Sequence, residues 1–362
     1  MAQMTHVPPK SRFFGLGQVA ARLVLALLAA AMLASLIPAS RTQQMPVAKT
    51  QAEDTDLLLY QAIIRRMRTG ESYYSAATTE QRQRGYPLQP FVTVRLPTLA
   101  SIIAYMGDWG AKLMLLGIWA SAIWTWHRRL RAYIQPQLWA HLGAAMLFNS
   151  IGPITKTHYV TVHEFWAGGL VTLSLGLYRP ERWLPSALLA AGALMIREHS
   201  LPYVLIMAAL AFWHRRWRET AGWITIVLGF SLALLAHRQM VTALILPTDR
   251  ISVGWAEFAG IAGALTYYLQ TSWLRLLPDF LSYPLIVLSF FGWLSWPNRL
   301  AQITSLILLG YAAMFMLVGR SDTFYWGFIV GPLMGMGLIF LRIAIPDLVR
   351  AAWPRTLDLA VR

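Results

Sequence analysis

No cysteine occurs among the 362 residues, so disulfides, thiolate metal sites and cysteine nucleophiles are excluded. Charge is scarce too. Charged residues make up 13% of the chain, about half the share of an average soluble domain. Acidic residues are scarcest, 16 against 31 Lys and Arg, which leaves a net charge of +15. The local patterns of nucleotide and zinc chemistry are absent as well. There is no Walker loop, no dinucleotide glycine fingerprint and no HExxH, and Gly15-Leu16-Gly17 lacks the spacing that follows it in such sites. Nucleotide-driven transport and direct use of a nucleotide sugar are therefore disfavoured.

Apolar residues are abundant, at 57% of the chain with a mean hydropathy of +0.48. A soluble protein cannot hide that much apolar surface, whereas a lipid-facing one has no need to. The 16 Trp and 14 Tyr suit the membrane–water interface, where amphipathic rings are favoured. The positive charge falls in short clusters between apolar runs. That is the pattern of cytoplasmic loops and anionic headgroups, not of a nucleic-acid surface.

The fold expected is an all-α, polytopic transmembrane bundle of about ten spans, treated as a single membrane domain over 1–362. Residues 1–17 read as a cytoplasmic tail. The apolar run 22–39 is too long for an ordinary signal-peptide core and reads as an uncleaved first span. Residues 41–97 form a large polar outer loop. Within it the apolar spacing of 56–68 predicts a short surface helix, stopped at Gly70, and the Pro-rich stretch to Pro97 reads as irregular. Further spans follow: one ending at 127–131, then 138–154, 165–178, 184–196, 201–213, 221–236, 280–296, 303–318 and 327–341. The stretch 237–278 is mixed, and 342–362 reads as a cytoplasmic tail.

Placing both termini in the cytoplasm puts 127–131, 179–182, 214–218 and Arg299 inside, each carrying Arg, as the positive-inside rule requires. These clusters read as topology signals. The acidic and aromatic residues of 41–97, His163-Glu164, Arg197-Glu198-His199 and Arg320-Ser321-Asp322 then share the outer face. The runs 184–196 and 201–213 form a hairpin of segments shorter than the ~20 residues of a full span. Arg197-Glu198-His199 between them should lie in a depression, because charge at that depth needs a wet or protein-lined hollow.

Four stretches resemble the C-type glycosyltransferase superfamily, polytopic enzymes that move a sugar from a polyprenyl-phosphate carrier to an acceptor on the outer side. They are Asp54-Thr55-Asp56-Leu57-Leu58-Leu59-Tyr60 with Gly70-Glu71-Ser72-Tyr73-Tyr74; Arg95-Leu96-Pro97; His163-Glu164 opening a helix; and Arg197-Glu198 between two short helices. The likeness covers roughly 15–240, and the superfamily's large soluble C-terminal domain is absent. It implies a catalytic base at Asp54 or Asp56, with Glu53 also in range. The bland reading of these acids is helix capping. It implies Arg197 as the phosphate ligand, against an internal ion pair with Glu198 or Glu164.

Tyr60, Arg95, His163, Glu164, Glu198 and His199 are further substrate-binding candidates. Arg320, Asp322 and Tyr325 read as a clamp on the donor headgroup, and Trp326 as an interfacial aromatic anchor. A divalent Mg²⁺ or Mn²⁺ on Asp56 and Glu164 is left open, since such ions want several oxygens. The implied partners are a polyprenyl-phosphate-linked sugar, a glycan, lipid or protein acceptor, and membrane lipids, at a bacterial-type inner membrane with the active face outward. The rivals are a transporter or flippase of a lipid-linked or amphipathic solute, and a non-catalytic scaffold of an envelope-synthesis complex. Transporters commonly carry repeated broken helices, and 184–213 has no counterpart in the second half.

Overall fold

The computed structural model describes residues 10–37, 50–150, 157–255 and 257–354, with side chains at 50–55, 149–150, 157–158 and 321 left aside. Among the described residues the chain is helical and contains no strand, only one isolated bridge between Gln89 and Ile251. The α-helices are α1 (Gln18–Ala34), α2 (Thr50–Arg68), α3 (Tyr73–Gln83), α4 (Thr98–Tyr133), α5 (Leu138–Ala145), α6 (His163–Leu177) and α7 (Leu184–Ile196). They continue with α8 (Leu201–Trp213), α9 (Trp217–Thr242), α10 (Gly260–Gln270), α11 (Asp279–Ser295), α12 (Arg299–Leu317), α13 (Gly331–Gly335) and α14 (Leu341–Ala352).

Four stretches are long and apolar enough to cross a membrane: Phe91–Tyr133, Trp217–Thr242, Arg299–Leu317 and Gly331–Ala352. Other expected spans do not reach that length, two of them as the sequence reading has it. α6 has 15 residues, and α7 and α8 have 13 each. At 1.5 Å per residue, 13 residues reach about 20 Å, short of a ~30 Å hydrocarbon core.

Hydrogen bonds and packing sort the helix termini into two ends of the bundle. At one end, Ser11 N–H donates to Asp347, Arg12 N–H donates to the Ser295 carbonyl, and Tyr178 O–H donates to Glu219. Both described terminal segments lie here, with the start of α12 and the 178–184 turn. At the other end lie 94–97, the start of α6, the 197–200 turn and the end of α9, where His237 meets Tyr74 and Val94.

The structure departs from the sequence reading in several places, among them the expected span 138–154, whose α-helix covers only Leu138–Ala145 before a 3₁₀ turn. The surface helix begins at Thr50, and a second helix, α3, follows where irregular chain is expected. Ser72 caps α3 by accepting from Ser75 N–H at 3.4 Å. Ala76 and Ala77 bury themselves among Leu59, Ile63 and Leu88, which offsets the helix's polar composition. The expected span 327–341 is broken into 3₁₀ turns and the five-residue α13. The expected tail instead contains α14, which packs Leu348 and Ala352 against Ala21.

Close backbone approach explains the broken segment. A methyl group on Gly337 would sit 1.9 Å from the Ser289 carbonyl, and one on Gly168 would sit 2.2 Å from the Phe328 carbonyl. The second approach presses the 321–329 turn onto α6 and brings Tyr325 and Trp326 over the start of that helix.

The region 50–97 is docked, not loose. Arg82 grips Asp249 through two hydrogen bonds of 2.6 and 2.9 Å, and Leu88 N–H donates to the Arg250 carbonyl. Gly107, at φ +73, breaks α4 early; that backbone region favours glycine. The first part of α4 thus lies beside α2, where Arg68 pairs with Asp108 at 2.8 Å.

Candidate functional site

Five separated stretches deliver polar side chains to one end of the bundle. α2 contributes Asp56 and Tyr60, one turn apart on one helix face. Asp56 accepts from Tyr86 O–H at 2.6 Å. Burial raises its carboxyl above the ordinary carboxylate value, against the opposing pull of the Tyr86 hydrogen bond and of Arg95; Glu164 and Asp322 add to the rise. Burial also raises the Tyr60 phenol.

Arg95 follows from extended chain whose backbone is clamped on both sides. Tyr73 O–H donates to the Arg95 carbonyl at 2.6 Å. The Val94 carbonyl lies 3.0 Å from His237 Nε2; a carbonyl only accepts, so Nε2 carries the proton. The Arg95 side chain donates through Nε to Tyr60 Oη at 3.2 Å and stands 3.5 Å from Glu198.

α6 opens with His163 and Glu164, both buried. His163 meets the Tyr60 ring edge to face at 5.0 Å between centroids. No side chain caps the start of α6. Glu164 sits in the first turn, where the helix dipole favours a negative charge.

Arg197 ends α7 by turning extended, and Pro202 opens α8 within its first two residues. The Arg197 side chain is wholly buried, 2.6 Å from Glu164 through Nε and 2.6 Å from Glu198 through Nη1. The contact to Glu164 is an ion pair without hydrogen-bond alignment, and Nη2 has no hydrogen-bond partner. Glu198 and His199 are partly open, with side chains 27% and 18% exposed and 3.4 Å apart.

The fifth stretch is 320–326. Arg320 and Asp322 pair with each other at 3.0 Å on the exposed rim. Tyr325 lies within electrostatic reach of Arg95, Glu164, Arg197 and Tyr60. Trp326 is no interfacial anchor: it is 3% exposed and packs against the His199 ring at a tilt, with centroids 3.9 Å apart. Gly168 made this possible by admitting the turn against α6. A recess of about 10 Å³, room for about one water, sits beside the cluster, lined by Tyr60, Ile64, Tyr73, Leu99, Thr161 and His163.

Asp54 falls outside the residues whose side chains are described. The other candidates, Asp56, Tyr60, Arg95, His163, Glu164, Arg197, Glu198, His199, Arg320, Asp322 and Tyr325, gather at this end. Tyr73, Tyr86 and Tyr311 also belong to the arrangement. Tyr311 O–H donates to the His199 carbonyl at 2.7 Å, and nothing in its apolar sequence context signals this.

Glu164 is engaged by Arg197 and Asp56 by Tyr86, and among the described residues no three His, Asp or Glu side chains gather as a metal site. The arrangement instead offers a raised carboxylate, a tyrosine–arginine pair and a buried guanidinium between two carboxylates. Compared with protein-family models, with curated proteins and with solved structures, the chain matches none.

Proposed function

We propose that this protein is a membrane glycosyltransferase that moves a sugar from a polyprenyl-phosphate donor to an acceptor hydroxyl at the outer face of a bacterial-type inner membrane. One observation carries the reading: a carboxylate with a raised pKa and two arginines, from remote stretches of chain, meet at one end of a lipid-facing bundle. Proton transfer alone needs no such cations; departure of a phosphate does.

In this reading Asp56 accepts the proton of the acceptor hydroxyl as its oxygen attacks the anomeric carbon. The bond from that carbon to the phosphate oxygen breaks, and polyprenyl phosphate leaves with the electron pair. Arg95, the less buried arginine, faces the departing phosphate, with Arg320 at the rim. Arg197 contributes its unpartnered Nη2 while Glu164 and Glu198 hold it. Tyr325 and His199 border the sugar.

In this reading the four long apolar stretches cross the membrane, and the shorter helices complete the bundle within thinned or protein-lined regions. The end rich in Arg then faces the cytoplasm by the positive-inside rule, which in this reading puts the described terminal segments on that side and the site on the outer one.

The test is transfer of radiolabelled hexose or pentose from synthetic polyprenyl-phosphate sugars by purified protein in proteoliposomes. Release of polyprenyl phosphate, lost in Asp56→Asn and Arg95→Gln proteins that remain folded, supports the reading. A native protein that releases none with any donor, or variants as active as the native chain, sinks it. Movement of the intact labelled lipid between leaflets without cleavage would select the flippase instead.

A further inference from the structure

At the opposite end of the bundle from the candidate site, a cavity of about 940 Å³ opens among α4, the turn before α7, and the start of α12. It lies within the ~300–1,000 Å³ range of small-molecule sites. Five arginines line it, Arg128, Arg129, Arg179, Arg182 and Arg299, against one carboxylate, Glu181.

The arginines have different jobs. Arg129 is built into the fold: it donates from Nε to the Gly176 carbonyl at 2.9 Å and also to the Tyr178 carbonyl, capping the end of α6. Arg128, Arg179, Arg182 and Arg299 are exposed, and none forms an ion pair with a carboxylate among the described residues. A topology signal requires only that positive charge stay on this side. It does not require four unpaired guanidinium groups around one hollow.

Two helix N-termini add to the field. Leu184 and Pro185 begin α7, and Asn298 caps α12 by accepting from Leu300 N–H at 2.8 Å. Pro185, Asn298 and Leu300 all line the cavity. The start of a helix carries partial positive charge and favours anions. The wall is amphipathic, with Trp124 63% and Leu177 39% exposed. Leu177 ends α6 and Trp124 lies in the last third of α4, so apolar surface adjoins the basic rim as acyl chains adjoin a headgroup.

We propose that this cavity binds a phosphate group carried by an anionic lipid, with Arg128, Arg182 and Arg299 as its ligands. Guanidinium groups clamp phosphate oxygens in a fork, and basic pockets between transmembrane helices hold anionic headgroups. The apolar wall accounts for a lipid rather than a soluble phosphate. The site is independent of the sugar-transfer reading and would stand if that reading fell.

The experiment is native mass spectrometry of the full chain released from detergent, with phosphatidylglycerol, phosphatidylcholine or inorganic phosphate added. The native protein should retain one phosphatidylglycerol in preference to phosphatidylcholine. Changing Arg128, Arg182 and Arg299 together to Gln should weaken that retention at least tenfold. Changing the same three to Lys keeps the charge and membrane orientation and should restore part of it, which also guards against misfolding of the Gln protein. Phosphate binding without lipid, lost in the same variant, would place a soluble phosphate in the same site. Equal retention of both lipids, or undiminished binding in the Gln variant, overturns the proposal.

Discussion

Arg197 has no exposed side-chain surface, yet its Nε lies 2.6 Å from Glu164 Oε1. The two residues open and close different helices, α6 and α7, so the pair ties the 197–200 turn to the start of α6. A wholly buried guanidinium is costly without a partner, and removing one partner of a buried pair costs about 3–5 kcal/mol.

Glu164→Gln should therefore destabilise the protein by about 3 kcal/mol. Glu198→Gln should cost less, about 1 kcal/mol, because Glu198 is 27% exposed and Arg197 keeps Glu164. Replacing Glu164 and Arg197 together by Leu and Met should recover much of the loss, since a packed apolar pair replaces both charges. Thermal unfolding in detergent gives the order. The proposed transfer activity separates structure from chemistry: under that reading the double variant should be folded and inactive.

Asp56 gives a prediction with a defined pH sign. Its folded carboxyl is raised above the ordinary 3.8, chiefly by burial. The folded state thus holds the proton more tightly than the unfolded chain, so this group contributes stability at low pH that is lost as pH rises through its folded pKa. Asp56→Asn keeps an oxygen for the Tyr86 hydrogen bond and removes the buried charge. It should raise the melting temperature at neutral pH, with the gain shrinking as pH falls toward 4. Under the proposed transfer reading, with Asp56 as general base, the transfer rate should also climb with pH through the same pKa. Asp56→Asn should lower that rate about 10²–10⁴-fold and flatten the acid limb.

The residues that were legible in the sequence are those whose placement follows from local cost. Arg197-Glu198-His199 interrupts apolar runs, and helices Leu184–Ile196 and Leu201–Trp213 flank it because charge cannot continue through lipid unpaired. Gly70 ends α2 with φ +94, as glycine at a helix stop suggests. The choice of partner was not legible. Nothing near Arg197 in the sequence selects Glu164 on another helix. α3 was hidden because its composition is polar and its support comes from Leu59 and Ile63 of α2. Trp326 looks like an interface residue until Gly168 admits its turn into the core. Sequence patterning reads one-dimensional burial, whereas these features depend on which backbones can approach each other.

Arg82 and Asp249 test whether the docked 50–97 region matters. Arg82 holds the Asp249 carboxyl below its ordinary value, helped by Leu246 N–H at 2.7 Å. A lowered folded pKa means the stabilisation is present above the ordinary 3.8 and is lost as pH falls through the lower folded value. Asp249→Asn should cost about 1–2 kcal/mol at neutral pH, given the partly exposed Arg82. The difference from the native chain should vanish in acid, opposite in sign to Asp56→Asn. Because this contact holds α3 and α2 over the site, limited proteolysis within 84–97 should speed up in the variant.

The last prediction concerns Gly337, where α11 and the broken segment before α14 touch backbone to backbone. A methyl group there would lie 1.9 Å from the Ser289 carbonyl and 2.7 Å from Trp293 Cδ1. The Ser289 carbonyl belongs to the helix backbone and cannot rotate away as a side-chain end can. Gly337→Ala must therefore separate the two segments. Overpacking costs about 1–3 kcal/mol where side chains can yield, and backbone contact leaves less room, so the upper part of that range is expected. Trp293 Nε1–H donates to the Leu333 carbonyl at 2.9 Å, so the displacement should also disturb that bond and shift tryptophan fluorescence. Gly229→Ala, where a methyl meets nothing within 4 Å, is the control and should be neutral or slightly stabilising through helix propensity. If both variants melt together with the native chain, close packing is not what breaks the 327–341 segment.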